Sequence, residues 1–112
     1  MALTIAEVMQ AMPAAFVPEK AAGVTAKVQF DFTSDGGGQY ALNIHDGVCE
    51  LIEGVVPEAR TTVIAAAADY IDIAEGRLEA MKAFVGGKLK LRGDMMFAMK
   101  FLQMFDPKRV SQ

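Results

Sequence analysis

The sequence predicts an α+β fold, a five-stranded sheet whose first three strands form an antiparallel meander. Three observations carry this. Period-two hydrophobic alternation fills three successive runs joined by short turns, two further strand-like runs follow, and helical patterning is confined to the N-terminus and the second half. Strands grouped ahead of helices argue against a parallel doubly wound sheet.

The elements follow in order. Thr4-Ile5-Ala6-Glu7 has the form of a capping box, in which Thr4 and Glu7 satisfy free backbone donors at a helix start. Ile5, Val8, Met9 and Met12 then share one helical face. Pro13 and Pro18 are expected to break up the next stretch, leaving a short helical turn around Ala14 to Phe16 before Gly23. Val24, Ala26, Val28, Phe30 and Phe32 alternate with polar residues, as a half-buried strand requires. Asp35 to Gly38 reads as a turn, and Tyr40, Leu42 and Ile44 alternate after it. Asp46-Gly47 is a strong hairpin signal, so Val48 to Glu53 forms the third strand. Pro57 interrupts, and Arg60 to Ala65 is rich enough in Thr, Val and Ile for a fourth.

Ala66 to Glu75 turns helical and ends at Gly76. A second short helix, Leu78 to Val85, ends at Gly86-Gly87. Lys88 to Arg92 is the fifth strand, with Leu89 and Leu91 inward. Asp94 is a good N-cap for the last helix, and Asp106-Pro107 is expected to stop it.

The chain of 112 residues, 53% hydrophobic with mean hydropathy +0.26, is expected to form one domain over 1–112. A lone cysteine, Cys49, excludes an intramolecular disulfide framework and fits a reducing compartment. With one histidine, His45, it makes no zinc site of the usual spacing, and no metal or cofactor is expected. The longest apolar run, Val63 to Ala68, falls far short of the ~20 residues of a membrane span. No basic residue precedes an apolar block at the N-terminus, so no signal peptide is expected and the location reads as cytoplasmic.

The net charge of −3 conceals a split: residues 1–76 carry −8 and residues 77–112 carry +5. Either the two halves neutralise each other across the sheet, or the basic third faces an anionic partner. Nucleic acid is a poor candidate, because the protein is acidic overall and its basic stretch lacks stacking aromatics.

Met95 to Phe105 is unusual. Only Lys100 and Gln103 are polar, leaving an apolar arc of roughly 220°, about twice the stripe a surface helix needs. Four of the eight methionines lie here, side chains that repack cheaply around varied shapes. Core packing on two sides, a lining for an apolar ligand, a dimer contact and a membrane-surface helix all remain open. Catalytic patterns are lacking. Ser34 and Ser111 have no histidine at motif spacing, and Gly86-Gly87-Lys88 is followed by Leu89 where a phosphate loop needs Ser or Thr. His45 falls on the outward parity of its strand, Cys49 reads as a buried structural thiol, and Glu50 and Glu53 lie on opposite strand faces.

Gly87-Lys88-Leu89-Lys90-Leu91-Arg92-Gly93-Asp94, followed by Met95-Met96 and Ala98-Met99-Lys100, resembles the end of the sterol carrier protein 2 domain. Ala80 to Phe84, Asp46-Gly47, Glu53-Gly54 and Thr61-Thr62-Val63 fit the same pattern. The resemblance implies helices packed over one face of the five-stranded sheet around an apolar cavity. It further implies binding, and for many members transfer between membranes, of sterols, fatty acids, fatty acyl-CoA or phospholipids. Arg60 departs from it, standing where the family often has an acidic residue.

The expected function is therefore non-catalytic lipid binding. Phe30, Phe32, Leu42, Met81, Phe84, Val85, Met95, Met99, Leu102 and Phe105 are the expected cavity residues. Lys88, Lys90, Arg92 and Lys100 are candidates for an anionic head group. The expected partners are a lipid ligand and a transient membrane surface. The alternative is an interaction module, either a homodimer or an accessory domain presenting hydrophobic substrates to a partner enzyme.

Overall fold

The computed structural model describes residues 4–33, 37–102 and 104. Helix α1 (Ile5–Ala15) and a 3-10 turn (Pro18–Ala21) lead into strands β1 (Ala26–Phe32), β2 (Gly38–His45), β3 (Val48–Glu53) and β4 (Thr61–Ala65). Helices α2 (Ala67–Ala74) and α3 (Ala80–Val85), strand β5 (Leu89–Gly93) and helix α4 (Met95–Leu102) complete the order. The strands lie as β3-β2-β1-β4-β5. The first three form the expected antiparallel meander, β4 joins β1 in parallel, and β5 pairs antiparallel with β4.

Alternation decides the two faces. Val28, Phe30 and Phe32 of β1, Leu42 and Ile44 of β2, Val63 of β4 and Leu89 of β5 are buried beneath the helices. Helix α1 packs on β3 and on α2, α3 lies against β5, and α4 reaches over β4 and β5. On the opposite face, the connection from β3 to β4 must cross β2 and β1. Gln29 anchors that crossing: its amide donates to the carbonyls of Gly54 and Tyr40, both at 3.0 Å, and its Oε1 accepts from Val56 N–H at 2.9 Å. The side chain is 8% exposed, a buried polar group with its hydrogen bonds made. Ala41, opposite Gln29 in the ladder, is fully buried on the same face.

Local signals in the sequence mostly match the termini observed. The capping box forms, with Thr4 N–H donating to Glu7 at 2.9 Å and Glu7 N–H to Thr4 Oγ1 at 3.2 Å. Asp94 caps α4 by accepting from Phe97 N–H at 2.9 Å. Pro13 does not break α1, which continues to Ala15. Proline in the last turn removes a single i→i−4 bond, and Met12, Ala15 and Phe16 are buried around it and hold the turn in place. The expected turn at Ala14 to Phe16 thus belongs mostly to α1, and the separate turn starts at Pro18, whose fixed φ suits a first helical position. Of the expected turn at Asp35 to Gly38, Asp35 and Gly36 lie outside the described residues, as does the expected stop at Asp106-Pro107.

The β2–β3 hairpin turns through Asp46 (φ 50°) and Gly47 (φ 75°), both left-handed as a type I′ turn requires. Across it, His45 Nε2 meets Glu50 Oε1, and Nδ1 lies 3.5 Å from Asp46. The Glu50 carboxylate, then Asp46, holds the imidazole pKa above its ordinary value. The folded pKa is raised, so the contribution to stability is full below about pH 6.5 and fades as pH rises through the folded value. A proton-detected titration should place the His45 midpoint above 6.5, and Glu50→Gln should lower it toward that value. An unchanged midpoint in Glu50→Gln would contradict the contact.

Candidate functional site

Beneath the helical layer the site is built from aromatic rings that four separate elements bring together. Phe30 lies at the centre of the sheet, flanked by β2 and β4. Its ring stands 5.8 Å from Phe32, 5.4 Å edge-on to Tyr70 of α2 and 5.8 Å from Phe101 of α4. Tyr40 of β2 closes on Phe32 at 6.1 Å. Tilted and edge-to-face contacts of this kind add to the area the rings bury. Burial of Tyr70 pushes its phenol pKa well up, so it is neutral at physiological pH. Cys49 is buried as well, and desolvation pushes its thiol up to about 12. A thiol so far from ionising is a packing group and a poor nucleophile.

Helix α4 divides its apolar circumference. Phe97, Ala98 and Phe101 are buried, an arc of about 100° at 100° per residue. Met95 and Met96 are exposed and Met99 is half-buried. The methionines are thus mostly on the side that does not face the core, although Met104, just past the helix, is fully buried.

The expected cavity residues separate accordingly. Phe30, Phe32 and Leu42 are on the buried inner face, and Phe84 is half-buried against the core. Met81, Val85 and Met95 lie at the surface, exposed by 50%, 81% and 39%. The Leu102 side chain and Phe105 fall outside the described residues. Tyr70, Phe97 and Phe101 were absent from the expected set. Phe97 and Phe101 stand four apart, a spacing that marks a shared helical face as clearly as that of Met95 and Met99.

Solvent-open clefts flank this interior, two of them among the described residues. One, of about 480 Å³, runs under the first turn of α4 and is lined by Gly23, Val24, Arg60, Asp94, Phe97 and Lys100, among others. There the Arg60 guanidinium lies 4.4 Å over the Phe97 ring while its Nε donates to Asp94 at 3.1 Å. The Phe97 N–H first, and Arg60 second, hold the Asp94 carboxyl below its ordinary pKa. With Lys100, two cations face the cleft against one acid. The other cleft, about 320 Å³, carries Lys88 and Lys90 beside Thr33 and Asp69. The four expected head-group residues therefore do not converge: Lys100 is at one cleft, Lys88 and Lys90 at the other, and Arg92 lines neither.

The ion pairs that join the two halves of the sequence involve Arg77 and Arg60. Arg77 pairs locally with Asp72 (2.7 Å) and Glu75 (2.9 Å), and Arg60 with Asp94. Lys88, Lys90, Arg92 and Lys100 enter no ion pair among the described residues. No group of three His, Cys, Asp or Glu side chains there could hold a metal ion, and no helix there is long and apolar enough to cross a membrane.

Comparison with known proteins places this architecture. The sequence model of the SCP-2 sterol transfer family matches residues 7–106. The chain is 31% identical over 84 residues to the mouse peroxisomal multifunctional enzyme type 2, covering 70% of this chain and 11% of that protein. It is 45% identical over 40 residues to the non-specific lipid-transfer protein-like 1 of Caenorhabditis elegans, 36% of this chain and 34% of that one. It therefore spans well under two thirds of either curated relative. In structure it is similar to palmitated SCP2L2 from Aedes aegypti, with TM-score 0.76 and 22% identity over 90% of this chain and 93% of the other. At that identity the likeness is one of fold.

Proposed function

The chain belongs to the SCP-2 sterol transfer family, and from that premise we propose that it is a non-catalytic carrier of a single-chain anionic lipid in the cytoplasm. The observation that carries this reading is the seating of α4. Phe101 packs against Phe30 and Phe97 lies beside Phe101, while Met95 and Met96 on the same helix are left at the surface. A helix held by a narrow face and lined with methionine shifts at modest cost, and the inner face it uncovers is wholly apolar. Phe30, Phe32 and Leu42 form the floor, with Phe84 at the side. Each methylene buried there contributes ~0.8 kcal/mol, so an acyl chain needs few polar contacts to bind.

The cleft at the start of α4 is the entrance in this reading. Arg60 and Lys100 meet the lipid carboxylate or phosphate at its mouth, and the Phe97 face orients Arg60. Lys100 is the one expected head-group residue retained in this role.

Delipidated protein titrated with a fluorescent fatty acid should show saturable one-to-one binding, weakened by Arg60→Ala and by Lys100→Ala. A linear, unsaturable signal would overturn the carrier reading. A second reading, a domain that presents apolar substrates to a partner enzyme, is favoured by the likeness to one segment of the mouse multifunctional enzyme. It too requires lipid binding, so the same titration tests both. Sedimentation then separates a free monomeric carrier from a self-associating module.

A further inference from the structure

The cleft at the start of α4 holds three charged side chains, and two of them fix each other. The wall formed by Ala22, Gly23 and Val24 carries no polar side chain. An anion entering here therefore meets Arg60, Lys100 and Asp94, and no other lining side chain is able to bond or repel it. The Arg60 guanidinium lies 4.4 Å over the Phe97 ring, and its Nε donates to Asp94 Oδ2 at 3.1 Å. Its Nη1 and Nη2 nitrogens have no acceptor among the described residues, so the N–H groups of that fork are left for a ligand.

Asp94 is held as firmly. Its Oδ1 accepts from Phe97 N–H at 2.9 Å while Oδ2 accepts from Arg60. These bonds, the Phe97 N–H first, keep its carboxyl pKa below the ordinary value, so it is ionised at neutral pH. Helix capping accounts for the first bond, but Ser, Thr or Asn would cap α4 without a charge. Capping does not account for a carboxylate set against the cation that a ligand must reach. Two cations and one acid leave the cleft with a net charge of +1. A carboxylate or sulfonate head group brings it to neutrality. A phosphate monoester carries about −1.5 to −2 at pH 7 and leaves it negative, beside an acid that cannot swing away.

We infer that Asp94 is a charge filter at the entrance, through which Arg60 and Lys100 take a singly charged head group and a doubly charged one is turned away. The inference rests on the carrier reading and adds the class of head group to it. Of the ligand classes that the family resemblance implies, a fatty acid passes this filter and a multiply charged fatty acyl-CoA does not.

Displacement of a fluorescent fatty acid by dodecanoate, dodecyl sulfonate and dodecyl phosphate tests it, at low ionic strength and about pH 8, where the phosphate carries two charges. The wild type should bind the first two alike. The phosphate should bind roughly three- to tenfold more weakly, as one extra like charge at a partly exposed site dictates. Asp94→Asn should bring the phosphate level with the other two while its thermal melt stays close to wild type, because Asn caps a helix as well as Asp. Phosphate bound by the wild type as tightly as dodecanoate, or an unchanged ratio in Asp94→Asn, would overturn the filter. So would rejection of the sulfonate along with the phosphate, since shape and not charge would then sort the head groups.

Butyrate and butyl phosphate, followed by the amide resonances of Phe97 and Lys100, reach the cleft without filling the interior. A preference for butyrate that Asp94→Asn abolishes, with no gain in affinity from butyrate to dodecanoate, would support the filter and count against the carrier reading alone. No shift with either short anion would overturn the filter even where dodecanoate binds.

Discussion

Truncating Phe30 to alanine lowers the free energy of unfolding by about 3–5 kcal/mol, the largest single effect expected from the inner face. The ring is fully buried and contacts Phe32, Tyr70 and Phe101, so its removal opens space where β1, α2 and α4 converge. Those neighbours project from two helices and a strand that cannot all move inward at once, and the cavity persists. Chemical denaturation measures the loss, and a thermal melt should fall by roughly 10–20 °C. Phe30→Leu, which keeps most of the volume, should cost less than half as much. The same variant probes the carrier reading. A fatty acid that occupies the inner face should restore part of the lost stability, because a ligand bound only to the folded state stabilises it by mass action. If Phe30→Ala cost under about 1 kcal/mol, the ring would be lying against open space, and the packing described here would be wrong.

The division of α4 was only half legible in the sequence. Two polar residues, Lys100 and Gln103, are too few to centre an arc of roughly 220°, so the width of the stripe could be read but not which part of it meets the core. The expectation placed Met95 and Met99 inward, whereas Phe97, Ala98 and Phe101 are buried. The strands were easier, because period-two alternation in β1 and β2 and the Asp46-Gly47 turn are local signals. Their arrangement was not local. The parallel insertion of β4 beside β1 depends on a crossing that Gln29 secures, and Gln29 reads in sequence as one more outward polar residue. Arg60 was equally opaque. Its partners lie 34 and 37 positions away, at Asp94 and Phe97, so nothing near it announced a cation stacked on a ring.

Gly93 is the second position where one substitution has a large expected effect, and it explains why the Gly93-Asp94 pair occupies the junction of β5 and α4. Its φ is +92°, a left-handed conformation that costs a non-glycine residue roughly 1–2 kcal/mol. Space is scarcer still: a Cβ there would lie 2.6 Å from the Arg60 carbonyl oxygen and 3.2 Å from Thr61 Cα. Both obstacles are backbone, and neither can swing aside. That carbonyl also accepts from Asp94 N–H at 3.1 Å, and Thr61 Oγ1 donates to Arg92 O at 2.6 Å, so relief of the clash breaks the β4–β5 end that seats α4. Gly87 supplies the control, since its φ of +83° is similar but an added Cβ would meet nothing within 4 Å. Gly87→Ala should therefore cost the conformational penalty alone, roughly 1–2 kcal/mol, and Gly93→Ala about 2–3 kcal/mol more, as overpacking against rigid neighbours does. Denaturant titration of the pair isolates the clash from the backbone strain. The functional consequence follows the same path: displacing Asp94 releases Arg60 from its carboxylate and Phe97 from its cap, so Gly93→Ala should lose fatty-acid affinity where Gly87→Ala keeps it. Equal stability loss in the two variants would mean that β5 slides freely past Arg60, and the entrance would then not depend on this junction.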